Sequence, residues 1–104
     1  MASVATFKVL AAFLRQPEQD QYGFGLMRLT GLKAGSLYPQ LARLHQQGWL
    51  RVHDEDIDEV ATGRPKRRLY RLTPTGQREA RYMLAELYRD LGPAPARVLR
   101  PEGA

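Results

Sequence analysis

The sequence contains no cysteine. This excludes disulfide bonds, thiolate nucleophiles and cysteine-ligated zinc, and it fits a reducing compartment. No stretch approaches the roughly 18 consecutive apolar residues of a membrane-spanning helix. Residues 1–16 are amphipathic and lack the small-residue cleavage site of a signal peptide. We therefore expect a cytoplasmic protein with no membrane partner.

The chain also has little of the chemistry from which most enzymes are built. Its two histidines, His45 and His53, lack partners at metal-ligand spacing, so we expect both at the surface and no bound metal. Gly23 and Gly25 form only a fragment of a glycine-rich phosphate loop. Together with the missing cysteine, these observations argue against an enzyme and against a cofactor.

What the sequence does contain is enough apolar residues for one core and an excess of basic residues. The length of 104 residues and the 43% hydrophobic content fit a single folded domain. Sixteen lysines and arginines against eleven aspartates and glutamates give a net charge of +5, which favours a polyanionic partner. Only three of these basic residues are lysines, and the planar fork of arginine suits phosphates and guanine edges.

Three helices are predicted in the first half of the chain. The first has Ser3 as its N-cap, ends before Pro17, and has apolar positions at helical spacing: Val4, Phe7, Leu10, Ala11 and Leu14. The second covers residues 22–30, with Tyr22, Leu26 and Leu29 on one face. After a turn over residues 31–35, Ser36 is the expected N-cap of the third, which ends at Gly48 and has an inward row formed by Leu37, Leu41 and Leu44.

The second half of the chain predicts a two-stranded β-hairpin followed by one long helix. Residues 49–53 and 66–72 alternate in polarity as strands do, with a loop over residues 54–65 between them. Thr73 and Pro74 then provide a cap and an N1 proline for a helix that runs to Leu91. The order predicts a mainly α fold with a small β-hairpin (α+β): a winged helix-turn-helix domain over residues 1–91, with an additional C-terminal helix over 74–91 and a flexible tail over 92–104.

Three blocks of sequence resemble the signature segments of PadR-like transcriptional regulators. These are YGFGLMRL, GSLYPQLARLHQQGWL and GRPKRRLYRLTPTG, within residues 22–76. The resemblance implies a homodimer in which the last helix contacts the partner's first helix, and repression of nearby genes that a small molecule relieves. A single helix after Pro74 matches the shorter form of the family. The compact link between helices two and three and the acidic wing depart from the usual pattern.

The candidate DNA contacts fall on the third helix and on the second strand of the wing. On the helix they are Lys33, Ser36, Tyr38, Gln40, Arg43 and Gln47, whose donor groups suit phosphates and base edges of a palindromic double-stranded operator. On the wing they are Arg64, Lys66, Arg67 and Arg68, with Arg71 nearby. An ordinary solvated helix face is the alternative for the first set, and Tyr38 could be partly core.

Five carboxylates within residues 54–59 oppose this positive charge. They could pair with the wing arginines or simply keep the wing tip soluble, and we favour the second because exposed ion pairs contribute under about 1 kcal/mol. A winged helix that binds another protein instead of DNA is the alternative function.

The last helix carries the expected dimer interface. Its apolar row is Ala80, Leu84, Leu87 and Leu91, widened by Met83, Tyr82 and Tyr88. The resemblance adds Phe7 and Leu10 from the first helix as partner contacts. Trp49, Tyr82 and Tyr88 could line a pocket for a small aromatic effector, although a tryptophan beside a helix end more often packs into the core.

Overall fold

A computed structural model describes residues 2–92, and residues 93–104 of the expected tail lie outside this range. The elements are α1 (Val4–Leu14), β1 (Gln21–Tyr22), α2 (Gly23–Thr30), α3 (Ala34–Gln46), β2 (Leu50–Asp54), α4 (Glu59–Thr62), β3 (Arg68–Leu72) and α5 (Pro74–Leu91). This is the expected α+β winged helix-turn-helix order, with a short helix α4 added inside the predicted wing loop.

Two of the three predicted N-caps are confirmed. Ser3 Oγ accepts a hydrogen bond from the Thr6 amide at 3.2 Å, and Thr73 Oγ1 accepts one from the Gly76 amide at 3.0 Å. The prediction for α3 is wrong, because Lys33 is the N-cap and Ser36 lies inside the first turn, with its amide donating to the Lys33 carbonyl at 3.0 Å. Gly31, with φ of 74°, ends α2 in the left-handed conformation and makes the link to α3 very short.

The sheet has three strands in the order β1, β3, β2 rather than the two that were predicted. Both pairings are antiparallel, and the added strand β1 pairs Gln21 with Tyr70 and Tyr22 with Leu69. Tyr22, predicted to begin the second helix, is therefore a strand residue and the N-cap of α2. A strand of two residues is too short to show alternation in polarity, so no sequence pattern could indicate it.

The core lies between the helices and the inner face of the sheet. Its buried apolar residues are Val9, Leu10, Ala12, Phe13, Leu26, Leu37, Leu41, Leu44, Leu50, Tyr70, Leu72 and Ala80. The leucine row of α3 is confirmed. In α1 the predicted face is rotated, since Val9 and Phe13 are buried whereas Val4 is 72% exposed. Leu29 of α2 is also exposed. Helices that are apolar on several sides fit more than one face at helical spacing, which accounts for the wrong choice.

The start of α5 is packed against the start of the wing. The Trp49 carbonyl accepts a hydrogen bond from the Thr73 amide at 2.9 Å. A Cβ atom on the buried Gly76 would lie well inside van der Waals contact of that same carbonyl. Glycine is therefore what allows α5 to begin so close to the strand β2.

No helix within residues 2–92 is both long and apolar enough to cross a bilayer.

Candidate nucleic-acid interface

The outer face of α3 presents most of the side chains that the sequence predicted for DNA contact. The exposed members are Lys33, Ser36, Tyr38, Arg43 and Gln47. Leu37, Leu41 and Leu44 hold the opposite face of this helix in the core. The N-cap residue Lys33 makes no side-chain hydrogen bond to the first turn, so the first amide groups of α3 have no side-chain cap. Donors of this kind suit phosphate oxygens.

Gln40 differs from the other predicted contacts because it is half-buried and its oxygen has protein partners. Gln40 Oε1 accepts a hydrogen bond from Thr6 Oγ1 of α1 at 2.8 Å and another from Nη2 of Arg43. The buried Thr6 thus ties α1 to α3, and Gln40 holds the guanidinium of Arg43. Sequence reasoning missed Thr6, although a polar residue between the apolar positions of α1 was the available signal.

At the wing tip, acidic side chains serve as structural partners. Asp58 caps α4 by accepting hydrogen bonds from the Val60 and Ala61 amides at 3.0 and 3.2 Å. Glu59 Oε2 accepts one from the Lys66 amide at 3.1 Å. The acidic segment therefore folds the tip back onto the basic strand that follows it.

Glu55 and Arg64 form the strongest of these contacts. Nη1 and Nη2 of Arg64 lie 2.7 and 3.0 Å from the two carboxylate oxygens of Glu55, and the Arg67 amide donates to Oε1 at 3.3 Å. The hydrogen bond from Arg64 lowers the pKa of Glu55 to about 2. Our preference for a merely solubilising acidic segment is wrong. A bidentate pair between half-buried side chains fixes geometry as an exposed single contact does not.

The pairing divides the wing arginines into two groups. Arg64 is held by Glu55, and Arg71 is held by Asp20, with Nε 2.9 Å from Oδ1. Arg68 lies 3.8 Å from Asp54, but both side chains are 67% exposed, so this contact is weak. Lys66, Arg67 and Arg68 are exposed. The basic surface of the wing therefore consists mainly of these three residues.

An open cavity of about 470 Å³ lies between α2, α3 and β3. It is lined by aromatic rings and by guanidinium groups: Tyr22, Phe24, Tyr38, Tyr70, Arg28, Arg67 and Arg68. Tyr38 lies so close to Gly23 that a Cβ atom there would overlap its hydroxyl group. Burial raises the pKa of Tyr70 above its ordinary value. Tyr38, predicted as a DNA contact, is thus one wall of a cavity as well.

The predicted dimer residues are not all available at the surface. Leu10 and Ala80 are fully buried in the core of a single chain, so their assignment to a dimer surface is wrong. Phe7, Met83, Leu84 and Leu87 are half-buried. Tyr88 and Leu91 are 52% and 75% exposed on the second half of α5. The predicted row therefore begins in the core and emerges at the surface toward the end of the helix.

The residues considered for an effector are separated by their packing. Trp49 is half-buried against the core, as its alternative interpretation held, whereas Tyr82 and Tyr88 are exposed on α5. Neither the aromatic cavity nor a second cavity beside α5 is lined by any of these three residues.

The two histidines, His45 and His53, are exposed as expected, and His53 Nε2 lies 3.5 Å from Asp20. Within residues 2–92 no group of three or more acidic or histidine side chains could hold a metal.

Comparisons with known proteins agree with this architecture. The model of the transcriptional regulator PadR-like family matches residues 14–82. Among solved structures, a PadR family transcriptional regulator from Eggerthella lenta has a TM-score of 0.66 at 24% identity, over 85% of this chain and 79% of that one. A mutant of MarR from E. coli has a TM-score of 0.70 at 22% identity, over 86% and 60%.

A third similar structure is BpsR of Bordetella bronchiseptica, with a TM-score of 0.68 at 23% identity over 91% of this chain and 66% of that one. That protein is described as having its DNA binding regulated by 6-hydroxynicotinic acid. At these identities the structural likeness concerns the fold. The comparison with curated proteins found no match.

Proposed function

Because this chain belongs to the PadR-like family of transcriptional regulators and is a DNA-binding regulator of the winged-helix kind, we propose that it represses transcription as a homodimer on a palindromic operator. The observation that carries the proposal is the distribution of cationic side chains. Donors on α3 and on the basic strand of the wing are exposed, while the arginines that would compete with them are held by carboxylates.

In this proposal α3 reads the operator sequence and Arg43 is its main reader. Its guanidinium is oriented by Gln40, and the remaining donors are free to make a bidentate contact to guanine. Lys33, Ser36 and the uncapped amide groups at the start of α3 contact phosphates. Tyr38 and Gln47 border the same face. Gln40 contributes through its amide nitrogen, since its oxygen is taken.

The wing attaches to the DNA backbone through Lys66, Arg67 and Arg68. Arg64 keeps a place near the interface, but its fork is occupied by Glu55, so it acts by holding the wing tip in shape. Asp20 likewise occupies the guanidinium of Arg71 on β3. The wing therefore supplies charge without sequence preference.

Dimerisation is the second part of the proposal. Leu84, Leu87, Tyr88 and Leu91 form an apolar surface where α5 leaves the core, and Phe7 is available from α1. Covering this surface with a second copy removes it from water and sets two α3 helices against successive half-sites, about 34 Å apart. A small aromatic molecule would release the protein from its operator, with Tyr82 and Tyr88 as candidate contacts in the dimer. We place the protein in the cytoplasm together with its DNA.

The proposal is tested by gel shift and footprinting on the DNA upstream of the chain's own gene, compared with a scrambled duplex of the same length. We expect a protected palindrome and a much weaker shift of the scrambled duplex. A chain that shifts neither duplex at low salt would instead support the protein-interaction module. Light scattering of the free protein and of the complex gives the stoichiometry independently.

A further inference from the structure

The second cavity lies between the start of α5 and the face of the sheet that points away from the core. Its volume is about 580 Å³. Leu50 and Leu72 are buried on the inner face of the sheet, so the alternation of strand side chains directs their neighbours Arg51 and Arg71 outward. Four arginines line this space, which we call the arginine cavity: Arg51 of β2, Arg71 of β3, and Arg78 and Arg81 of α5.

The four arginines are brought together against their mutual repulsion. Arg51 and Arg71 lie directly opposite each other across β2 and β3, and like charges at such positions destabilise a sheet. Arg78 and Arg81 are three positions apart on α5, where side chains of a helix are neighbours. An anion between the two pairs would remove this repulsion, because each guanidinium would then have an opposite charge nearby.

Most of this positive charge is not neutralised by the protein. Arg51, Arg78 and Arg81 are exposed, and within residues 2–92 they make no ion pair with a carboxylate. Arg71 donates from Nε to Asp20 Oδ1 at 2.9 Å, which fixes its guanidinium. Its two Nη groups make no hydrogen bond to the described part of the chain. Donors from both the sheet and the helix are therefore available to a ligand.

The rest of the lining limits the kind of anion that the cavity suits. Among the described residues, Glu18 is the only carboxylate in the lining, and its contact with Nε2 of Gln77 is long, at 3.5 Å. None of the lining residues in this part of the chain is aromatic. A nucleobase or another flat ring would find no ring to stack on. Recognition in the arginine cavity therefore depends on charge and on guanidinium hydrogen bonds.

We propose that the arginine cavity binds a small ligand with two linked phosphate groups. The fork of an arginine donates two parallel hydrogen bonds to a phosphate. A terminal phosphate has three acceptor oxygens, so a pair of forks occupies one group. The sheet pair Arg51 and Arg71 holds one phosphate, and the helix pair Arg78 and Arg81 holds the other. A diphosphate fits a cavity of this size, since small-molecule sites span roughly 300 to 1,000 Å³.

The arginine cavity lies on a different face of the wing from the proposed DNA contacts. Arg71 follows Arg68 by three positions on β3, so strand alternation places the two side chains on opposite faces of the sheet. An operator bound by α3 and by the basic strand of the wing is not expected to fill the cavity. The site is therefore independent of the proposed function, and we expect the diphosphate and DNA to bind without competition.

Titration of pyrophosphate into the full chain tests the site in the absence of DNA. Backbone amide NMR at constant ionic strength, without divalent cations, should show saturable shifts at Arg51, Arg71, Arg78 and Arg81. Orthophosphate and sulfate should bind about tenfold more weakly, since each occupies only one arginine pair. Equal affinity for the three anions, no saturation, or shifts centred on residues 66–68 overturns the proposal.

Single substitutions of exposed side chains locate the ligand. Arg51→Gln and Arg78→Gln each remove one fork and should weaken pyrophosphate about fivefold or more. Glu18→Gln removes the opposing carboxylate and should strengthen binding about twofold. Arg28→Gln removes the same charge outside the arginine cavity and is the matched control, with an affinity within about twofold of the wild type. Equal losses for Arg28→Gln and Arg78→Gln would show that net charge alone attracts the anion, and would contradict the site.

A scrambled duplex distinguishes a diphosphate ligand from nucleic acid. We expect the duplex to leave pyrophosphate affinity within about twofold, and Arg78→Gln to leave DNA affinity within about twofold. A duplex that displaces pyrophosphate from the wild type and binds Arg78→Gln more weakly would make the cavity part of the DNA interface and overturn the proposal. If pyrophosphate binds as expected while no duplex binds at all, the site stands and the proposed function fails.

Discussion

The two terminal nitrogens of Arg64, Nη1 and Nη2, lie opposite the two carboxylate oxygens of Glu55, at 2.7 and 3.0 Å. This pair closes the wing tip across the short helix α4, because Arg64 follows that helix and Glu55 precedes it. The Arg67 amide donates to the same carboxylate, so the pair also fixes where the exposed strand begins. The shape of the wing thus depends on a contact whose arginine the sequence assigned to DNA.

The first prediction concerns acid. The pKa of Glu55 is about 2 in the folded chain against an ordinary value of 4.5, so its stabilising contribution is complete above pH 4.5 and is lost as the pH falls toward 2. NMR titration of the carboxyl group should give this pKa, and Arg64→Gln should raise it toward 4.5. Arg68→Gln is the control, and an equal rise there would contradict the assignment to Arg64.

A double-mutant cycle tests whether Arg64 touches DNA. Arg64→Gln leaves Glu55 unpaired beside the wing, so we expect weaker binding to operator and scrambled duplex alike. Glu55→Gln added to it leaves the net charge of the wild type, and affinity should return to within about threefold, since coupled residues are not additive. Measurement by fluorescence anisotropy decides between the roles. A double variant as weak as Arg64→Gln would assign Arg64 to a phosphate.

The proposed roles of Arg43 in base recognition and of Arg68 in backbone attachment predict different losses of DNA affinity. Arg43→Ala should weaken the operator by about 1 to 3 kcal/mol per half-site more than it weakens scrambled DNA. Arg68→Ala should weaken both duplexes equally and lower the slope of log affinity against log salt by roughly 1 per arginine lost. Affinities over a salt series provide both quantities. Equal losses on both duplexes for Arg43→Ala would refute its role as a reader.

Two glycines form a matched pair for stability. Gly76→Ala places a methyl group against the backbone carbonyl of Trp49, which cannot move without the strand, and should destabilise by about 1 to 3 kcal/mol or more. Gly35→Ala in α3 meets no atom within 4 Å and should stabilise by about 0.5 to 1 kcal/mol. Urea unfolding of both variants measures the difference. The opposite order would show that the start of α5 is not tightly packed.

Substitutions of two leucines distinguish the proposed dimer surface from the core. Leu91→Asp changes a side chain that is 75% exposed in one chain, so it should give a folded monomer by light scattering and circular dichroism. Leu10→Ala removes a fully buried side chain and should cost about 2 to 5 kcal/mol of stability without a specific effect on assembly. Ala85→Asp, outside the apolar row, is the charge control. A Leu91→Asp protein that remains dimeric would place the interface elsewhere.

Periodicity and caps were sufficient to predict the order of α1, α2, α3, α5 and the two longer strands, but not α4 or β1. The leucine row of α3 and the Thr73 cap depend only on residues close together in the sequence, so they can be predicted without knowledge of the tertiary contacts. The predicted N-cap of α3 was wrong because the link after α2 has only three residues, so the helix begins two residues before Ser36. The pairing of Glu55 with Arg64 and of Gln40 with Thr6 depends on which side chains meet after folding, across 9 and 34 residues of chain. The composition of a sequence does not say which distant residues come together, so these contacts could be identified only from the structure.

The contact of Gly76 with Trp49 gives the length of α5 a geometric meaning. In the proposed dimer, this joint fixes one end of the helix to the DNA-binding domain while Leu87 meets the partner about 16 Å further along its axis. Deleting one residue between them would shorten that span by about 1.5 Å and turn the apolar row by about 100°. The two domains would then face DNA in a new phase. In the proposed dimer, the half-site spacing that the protein accepts is therefore set by the length of α5, a helix that lies outside the DNA interface.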